Sequence, residues 1–361
     1  MHYTVDTREF RAALEKIRCM HPEAVQVRGE NNRLHLCAMI HSYTKYGYRL
    51  FLDISMPSVG FSVDGEGCIV GFRSFLKPGD IEKRATGEVE ISSLPGSFVN
   101  ICRIDDDTAS QTWSLKVSDK LNDVYGSESR PVATGEPSLF TELAPPDCRM
   151  LGFISRALGK DQCRPVFTGA HVTRKAVTST DGCRLSVAPF TAKPEGKGEG
   201  IMPPELVEFI AAGNTGFLEL YGNMFVLTGE NFICYARSVE GKYPNFERVI
   251  SLKPDATAVL DTNDTIRTLK MLSKGLRSTV LTLKGHSATC RDLESSGDQR
   301  TAHIPVLSGE IKDLAFNPMY LLDALTNYDG DSFRLDTIDD ESPMLVTRED
   351  NARSVIMPIK A

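Results

Sequence analysis

Two runs of carboxylates are the side chains here best suited to chemistry: Asp105-Asp106-Asp107 and Asp339-Asp340-Glu341. Adjacent acidic groups are the hard oxygen donors that magnesium takes, and a metal-dependent nuclease would be built on them. Both runs lie beside turn residues in hairpin-like sequence, where carboxylates are also ordinary solvated loop charge. The seven histidines (2, 21, 35, 41, 171, 286 and 303) show no ligand spacing; His35 and His171 fall on expected strands and read as half-buried. The nine cysteines (19, 37, 68, 102, 148, 163, 183, 234 and 290) are odd in number and never form Cys-x-x-Cys. Reduced thiols are expected rather than a disulfide framework or a zinc site. No Gly-x-x-x-x-Gly-Lys-Ser/Thr loop, Gly-x-Ser-x-Gly elbow or His-Glu-x-x-His helix occurs, so no catalytic site and no cofactor are expected.

The elements that must position any site recur along the chain. Tyr3-Thr4-Val5-Asp6-Thr7 precedes a helical stripe of Phe10, Leu14 and Ile17, and Val259-Leu260-Asp261-Thr262 precedes one of Ile266, Leu269 and Met271 or Leu272. A diverged copy runs from Ser138-Leu139-Phe140-Thr141 through Pro145-Pro146-Asp147 to Met150, Phe153, Ile154 and Leu158. Thr7 and Thr262 are expected to supply N-cap hydroxyls, with Glu9 and Asp264 in the first turns. Each third carries a second helix candidate (around Phe72 to Ile81, 203–212 and 317–328), followed by strands. Two helices and many short strands per third predict α+β, with helices packed on antiparallel sheet. Turn-rich segments near 127–137 and 252–255 divide the chain into three similar domains: 1–130, the most divergent, 131–252 and 253–361.

One stretch is denser in information than the rest. Arg164-Pro165-Val166-Phe167-Thr168-Gly169 leads into 170–179, which reads as a short hairpin with Arg174 and Lys175 near its middle. Thr180-Asp181-Gly182-Cys183-Arg184-Leu185 follows, a turn signal from which a strand resumes. Together with Glu240-Gly241-Lys242-Tyr243-Pro244-Asn245-Phe246-Glu247-Arg248-Val249, Phe316-Asn317-Pro318-Met319-Tyr320, Ser342-Pro343-Met344 and Val355-Ile356-Met357-Pro358-Ile359, it resembles the bacterial DNA polymerase III beta subunit, the sliding clamps. The likeness spans about two thirds of the chain and is poor over the first 130 residues apart from their opening.

The resemblance implies three clamp domains per chain and a head-to-tail homodimer whose ring encircles double-stranded DNA. It implies a cytoplasmic, non-catalytic processivity factor, opened by a clamp loader. Such a clamp tethers the replicative polymerase and other proteins carrying a clamp-binding motif through a peptide pocket. Matching motif positions, the pocket comprises Phe167, Thr180, Gly182, Cys183, Arg184 and Leu185, then Pro244, Arg248 and Val249. The last domain adds Leu276, Asn317, Tyr320, Pro343, Val355, Met357, Pro358 and Ile359. Arg184 and Arg248 also read as structural salt-bridge arginines. The implied dimer contact sets Met271 and Leu272 against Trp113 and Leu115; Trp113 reads equally as a core residue. Glu205 after Pro204, Glu23 in the loop after the first helix, Cys183, and Ala361 at the chain end depart from the pattern and point to a divergent member.

Charge placement runs against the bulk. Net charge is −7, yet 8–18, 147–164 and 264–277 are positive by two, two and three charges. DNA-facing residues are expected to be Arg8, Arg11, Arg18, Arg73, Lys77, Arg149, Arg156, Lys160, Arg267 and Lys274. Equivalent helices lining one surface would attract phosphates without reading bases, as a sliding ring requires; amphipathic helices with solvated faces are the alternative. A content of 41% hydrophobic and 25% charged residues suits a globular chain, and no apolar run reaches a membrane span. Two further readings remain: a clamp-fold scaffold with altered partners, and the nuclease.

Overall fold

The apolar stripe near the amino terminus does make a helix. In the computed structural model it is α1 (Thr7–Met20), with Phe10, Leu14 and Ile17 buried. The structure describes all residues except 42–47, 60–64, 72–80, 82–86, 94–97, 106–107, 117–130, 162, 252, 275–278, 285–286, 293–298 and 360–361. Among the described residues the later helices are α2 (Pro145–Ser155), α3 (Pro204–Ala211), the single turn α4 (Glu247–Ile250), α5 (Thr262–Ser273) and α6 (Pro318–Ala324). The second helix expected around Phe72 to Ile81 lies largely outside them.

The two literal repeats start alike, but their caps sit one residue earlier than the sequence predicts. Asp6 and Asp261, in extended backbone at the ends of their strands, aim carboxylates at the first free amides: Asp6 accepts from Arg8 N (2.8 Å) and Glu9 N (3.2 Å), Asp261 from Asp264 N (2.8 Å). A carboxylate also suits the positive end of the helix dipole. Thr7 and Thr262 are instead the first helical residues, buried, with hydroxyls that lack a partner. In the diverged copy the residue before α2 is Ala144, which has no capping side chain, and Asp147 inside the helix reaches back instead. Buried, its carboxylate accepts from Ala144 N (2.8 Å) and Thr191 N (2.7 Å).

The chain forms two compact units, one of Met1–Glu142 with Glu208–Ser238, the other of Leu143–Val207 with Val239–Ala361. In the first, eight strands follow one another in a sheet: Leu139–Leu143, Gly216–Tyr221, Met224–Thr228, Phe232–Arg237, Tyr48–Pro57, Arg33–His41, Ala24–Glu30 and Gly65–Gly71. A four-stranded sheet (His2–Asp6, Glu88–Ser93, Phe98–Asp105, Thr108–Lys116) accompanies it. Gly29 is required here, since a Cβ on it would lie 1.9 Å from the Tyr3 ring.

The second unit repeats this plan. Nine strands run in the order Gly200–Met202, Ala170–Val172, Val177–Thr180, Arg184–Ala188, Arg353–Ile356, Met344–Arg348, Ser332–Thr337, Ala256–Asp261 and Val306–Gly309. A four-stranded sheet is ordered Gln299–His303, Ser287–Asp292, Thr279–Lys284, Leu314–Phe316. Helices α5 and α6 pack on this unit's core, which contains Leu269, Leu272, Leu321, Phe316, Phe333 and Leu335. Residues 170–179 form the expected hairpin, Val172 facing Val177, with Arg174 and Lys175 at its turn; the segment before it is a 3-10 turn, Pro165–Phe167. The architecture is α+β with antiparallel sheets.

Candidate functional site

The Thr-Asp-Gly turn is held by its own side chains. The Asp181 carboxylate accepts from the amides of Cys183 (2.9 Å) and Arg184 (3.0 Å). The Thr180 hydroxyl accepts from Gly182 N (3.1 Å) and donates to Arg184 O (2.6 Å). Gly182 has φ +93°, a conformation that side-chain-bearing residues rarely adopt. This turn starts strand Arg184–Ala188, which pairs antiparallel with Arg353–Ile356, so Leu185 faces Val355. The join continues where Met357 N donates to Cys183 O (3.0 Å) and Ile359 N to Ala315 O (2.7 Å).

Strand alternation gives this seam two faces. Met344, Val346 and Ile356 point into the unit's main core. Leu185, Leu345 and Val355 form a separate small cluster on the other face, walled by Val187, Phe246, Val249 and Ile250. Beside it Phe167 meets Tyr243 edge-on (6.4 Å between centroids), and Tyr243 stacks on His171 (4.8 Å). Burial pushes the Tyr243 phenol well up and the His171 imidazole down, the latter partly opposed by Glu199, 3.7 Å from Nε2. Both expected histidines are indeed half-buried, His35 with Nδ1 2.8 Å from Asp53.

Of the residues expected at the site, Leu185, Val355 and Val249 share this cluster, and Arg184 lies over the Tyr320 ring (4.4 Å). Cys183, Gly182, Pro244 and Arg248 are exposed, as is Met357 at 42%; Pro343, Pro358 and Ile359 are half-buried. The Asn317 side chain is committed to capping α6, accepting from Met319 N (2.9 Å). Leu276 lies outside the described residues. Sequence reading missed Asp323, one helical turn after Tyr320 and bonded to Arg184, and the aromatic wall of His171, Tyr243 and Phe246.

The basic residues divide. Arg8, Arg18, Arg149, Arg156, Lys160, Arg267 and Lys274 are exposed, Arg149 beside Asp329 (3.8 Å) and Arg267 beside Asp264 (3.2 Å). Arg11 is tied into the fold, 14% exposed, bonded to Glu15 and to the Ile81 carbonyl. Arg73 and Lys77 lie outside the described residues. Met271 is 56% exposed, whereas Leu272 belongs to the core. Trp113 and Leu115 oppose Ile101 and Val99, so both stand on the face that buries those residues. Of the carboxylate runs, Asp339 accepts from the amides of Glu341 (3.0 Å) and Ser342 (2.6 Å), closing its own turn. Asp106 and Asp107 lie outside the described residues.

No family model matches the sequence. The chain is similar to the beta sliding clamp of Chlamydia pneumoniae (24% identical over 226 residues, 58% of this chain and 62% of that protein). It is similar also to the Streptomyces muensis beta sliding clamp homolog GriR (25% over 244 residues, 59% and 64%). The matched segments thus span less than two thirds of either relative. In three dimensions the likeness extends over all of both chains: TM-score 0.79 at 16% identity with the Helicobacter pylori beta clamp, and 0.74 at 18% with the DNA polymerase III subunit beta of Pseudomonas aeruginosa. Another H. pylori structure, at TM-score 0.76 and 16% identity over all of both chains, is of that clamp bound to a DNA ligase peptide. This chain has the fold of the bacterial beta sliding clamps, and its sequence is similar to theirs over somewhat more than half of its length.

Proposed function

We propose that the chain is a DNA sliding clamp, a non-catalytic processivity factor that encircles duplex DNA without reading its sequence. The observation that carries this is the seam of the second unit. There, motifs some 170 residues apart, Thr180 to Leu185 and Val355 to Ile359, build one apolar site in a fold that matches beta clamps end to end. The domains are 1–130, 131–252 and 253–361, and six of them close the ring in a head-to-tail dimer. In support, each unit's small sheet ends on a single strand, Thr108–Lys116 in one and Gln299–His303 in the other, and Met271 is open to solvent. Exposed Arg8, Arg18, Arg149, Arg156, Lys160, Arg267 and Lys274 supply the phosphate attraction. The site takes a short peptide with apolar anchors, as the H. pylori clamp takes a DNA ligase peptide. Polymerase and clamp loader would dock there.

Light scattering over a dilution series tests this, with a mass near twice 39.8 kDa expected. Retention on nicked circular DNA and loss from linear DNA should accompany it. A monomer that shows no topological retention overturns the reading. Exposed Cys183 at the turn favours a second reading, a clamp-fold scaffold with altered partners. A ring that holds DNA but ignores the ligase peptide would select it.

A further inference from the structure

A guanidinium offers a planar fork of five N–H donors and two faces. In Arg184 each nitrogen of the fork is engaged: Nε donates to Asp181 (3.0 Å), Nη1 to Asp323 and Nη2 to the carbonyl of Arg156, while one face covers the Tyr320 ring at 4.4 Å. The side chain is 14% exposed. Its partners come from three separate elements: Asp181 from the turn, Tyr320 and Asp323 from α6, and Arg156 from the end of α2. The main chain of Arg184 meanwhile pairs with Ile356 across the seam.

We infer that Arg184 is a latch rather than a ligand for an incoming peptide. It is a positioning residue that holds α6 and the end of α2 against the turn, and so sets the separation of Tyr320 from the Leu185–Val355 floor. Two carboxylates already neutralise its charge, so an acidic group approaching it would meet Asp181 and Asp323. The family resemblance points the other way, because it assigns the motif position of Arg184 to peptide contact, whereas the residue by itself also reads as a structural salt-bridge arginine. That the latched site receives a peptide rests on the sliding-clamp reading; the latch itself rests on the contacts alone.

Hydrogen exchange on the full chain tests the latch, read at Met357 N–H, which bonds to Cys183 O, and at Leu325 N–H at the end of α6. Arg184→Gln and Asp323→Asn should each speed exchange at both amides by about tenfold, the double variant little more than either, as for members of one network. Asp323→Glu should restore protection. Exchange in Asp323→Asn equal to the unmodified chain overturns the latch.

A second arm uses the DNA ligase peptide that the H. pylori clamp binds, followed by fluorescence polarisation. Asp323→Asn should lose affinity in parallel with Arg184→Gln. Loss confined to Arg184→Gln, with exchange unchanged, would make Arg184 a direct ligand and overturn the proposal. If the unmodified chain binds no peptide, the peptide reading of the site fails, and the exchange arm still decides the latch.

Discussion

Leu185 lies directly opposite Val355 in the ladder between strands Arg184–Ala188 and Arg353–Ile356, and both side chains are buried on the face turned away from the main core. The pair joins the middle of the chain to its end twice over, by backbone hydrogen bonds and by apolar contact. The polar bonds give register, and the side chains give the floor of a site. Because this cluster has only three buried members, each carries a large share of it.

Leu185→Ala should therefore lower stability by about 2–5 kcal/mol, the usual range for a buried leucine truncated without full collapse of the cavity. The midpoint of urea unfolding should fall with an unchanged slope. Peptide affinity should fall with it, since Leu185 lines the proposed floor.

The two helix starts offer a paired test of which side chain caps. Asp261→Ala removes the bond to Asp264 N and should cost about 1 kcal/mol. Thr262→Val replaces a buried hydroxyl that lacks a partner and should leave stability equal or higher. Denaturant titration of the two variants checks both; the opposite order would restore Thr262 as the cap.

His171 makes the unit sensitive to acid. Burial lowers its folded-state pKa below the ordinary 6.5, with Glu199 opposing and Tyr243 stacked on the ring. The unfolded chain then binds more protons, so the contribution is complete above pH 6.5 and is lost as pH falls from 6.5 through the lowered folded value. Urea unfolding between pH 8 and pH 5 should show this slope, and His171→Phe, which keeps a stacking ring, should flatten it.

Thiol reactivity should separate the cysteines by burial. Cys163 and Cys183 are exposed and should react rapidly with an aromatic disulfide reagent; Cys37, Cys148, Cys234 and Cys290 are buried and should wait for unfolding. Burial also raises the Cys234 thiol pKa, leaving little thiolate there. Saturating ligase peptide should slow the reaction at Cys183 and leave Cys163 unaffected.

Much of the local structure was legible because it is periodic. Phe10, Leu14 and Ile17 mark α1, Leu269 and Leu272 mark α5, and the Asp-Gly turn marks where a strand resumes, each from neighbours a few residues away. The α+β class follows from the same signals. The caps sit one residue earlier than expected, because aspartate and threonine are adjacent, both can cap, and the local pattern does not say which of them is the last extended residue.

Tertiary structure decided what local pattern cannot carry. That Leu185 meets Val355 depends on two strands far apart in the chain finding one register. That Arg184 is spent on Asp323 and Arg156, and Arg11 on Glu15 and Ile81, depends on which elements close over them, so an arginine expected to face DNA and one expected at the pocket or in a salt bridge both became half-buried ties. Trp113, which the sequence leaves open between a dimer contact and the core, pairs with buried Ile101 and is itself half-buried, a placement that strand pairing and not local pattern sets. A sequence records periodicity within one element, which determines that element's buried side; the identity of what covers that side is a long-range pairing, and only the folded chain supplies it.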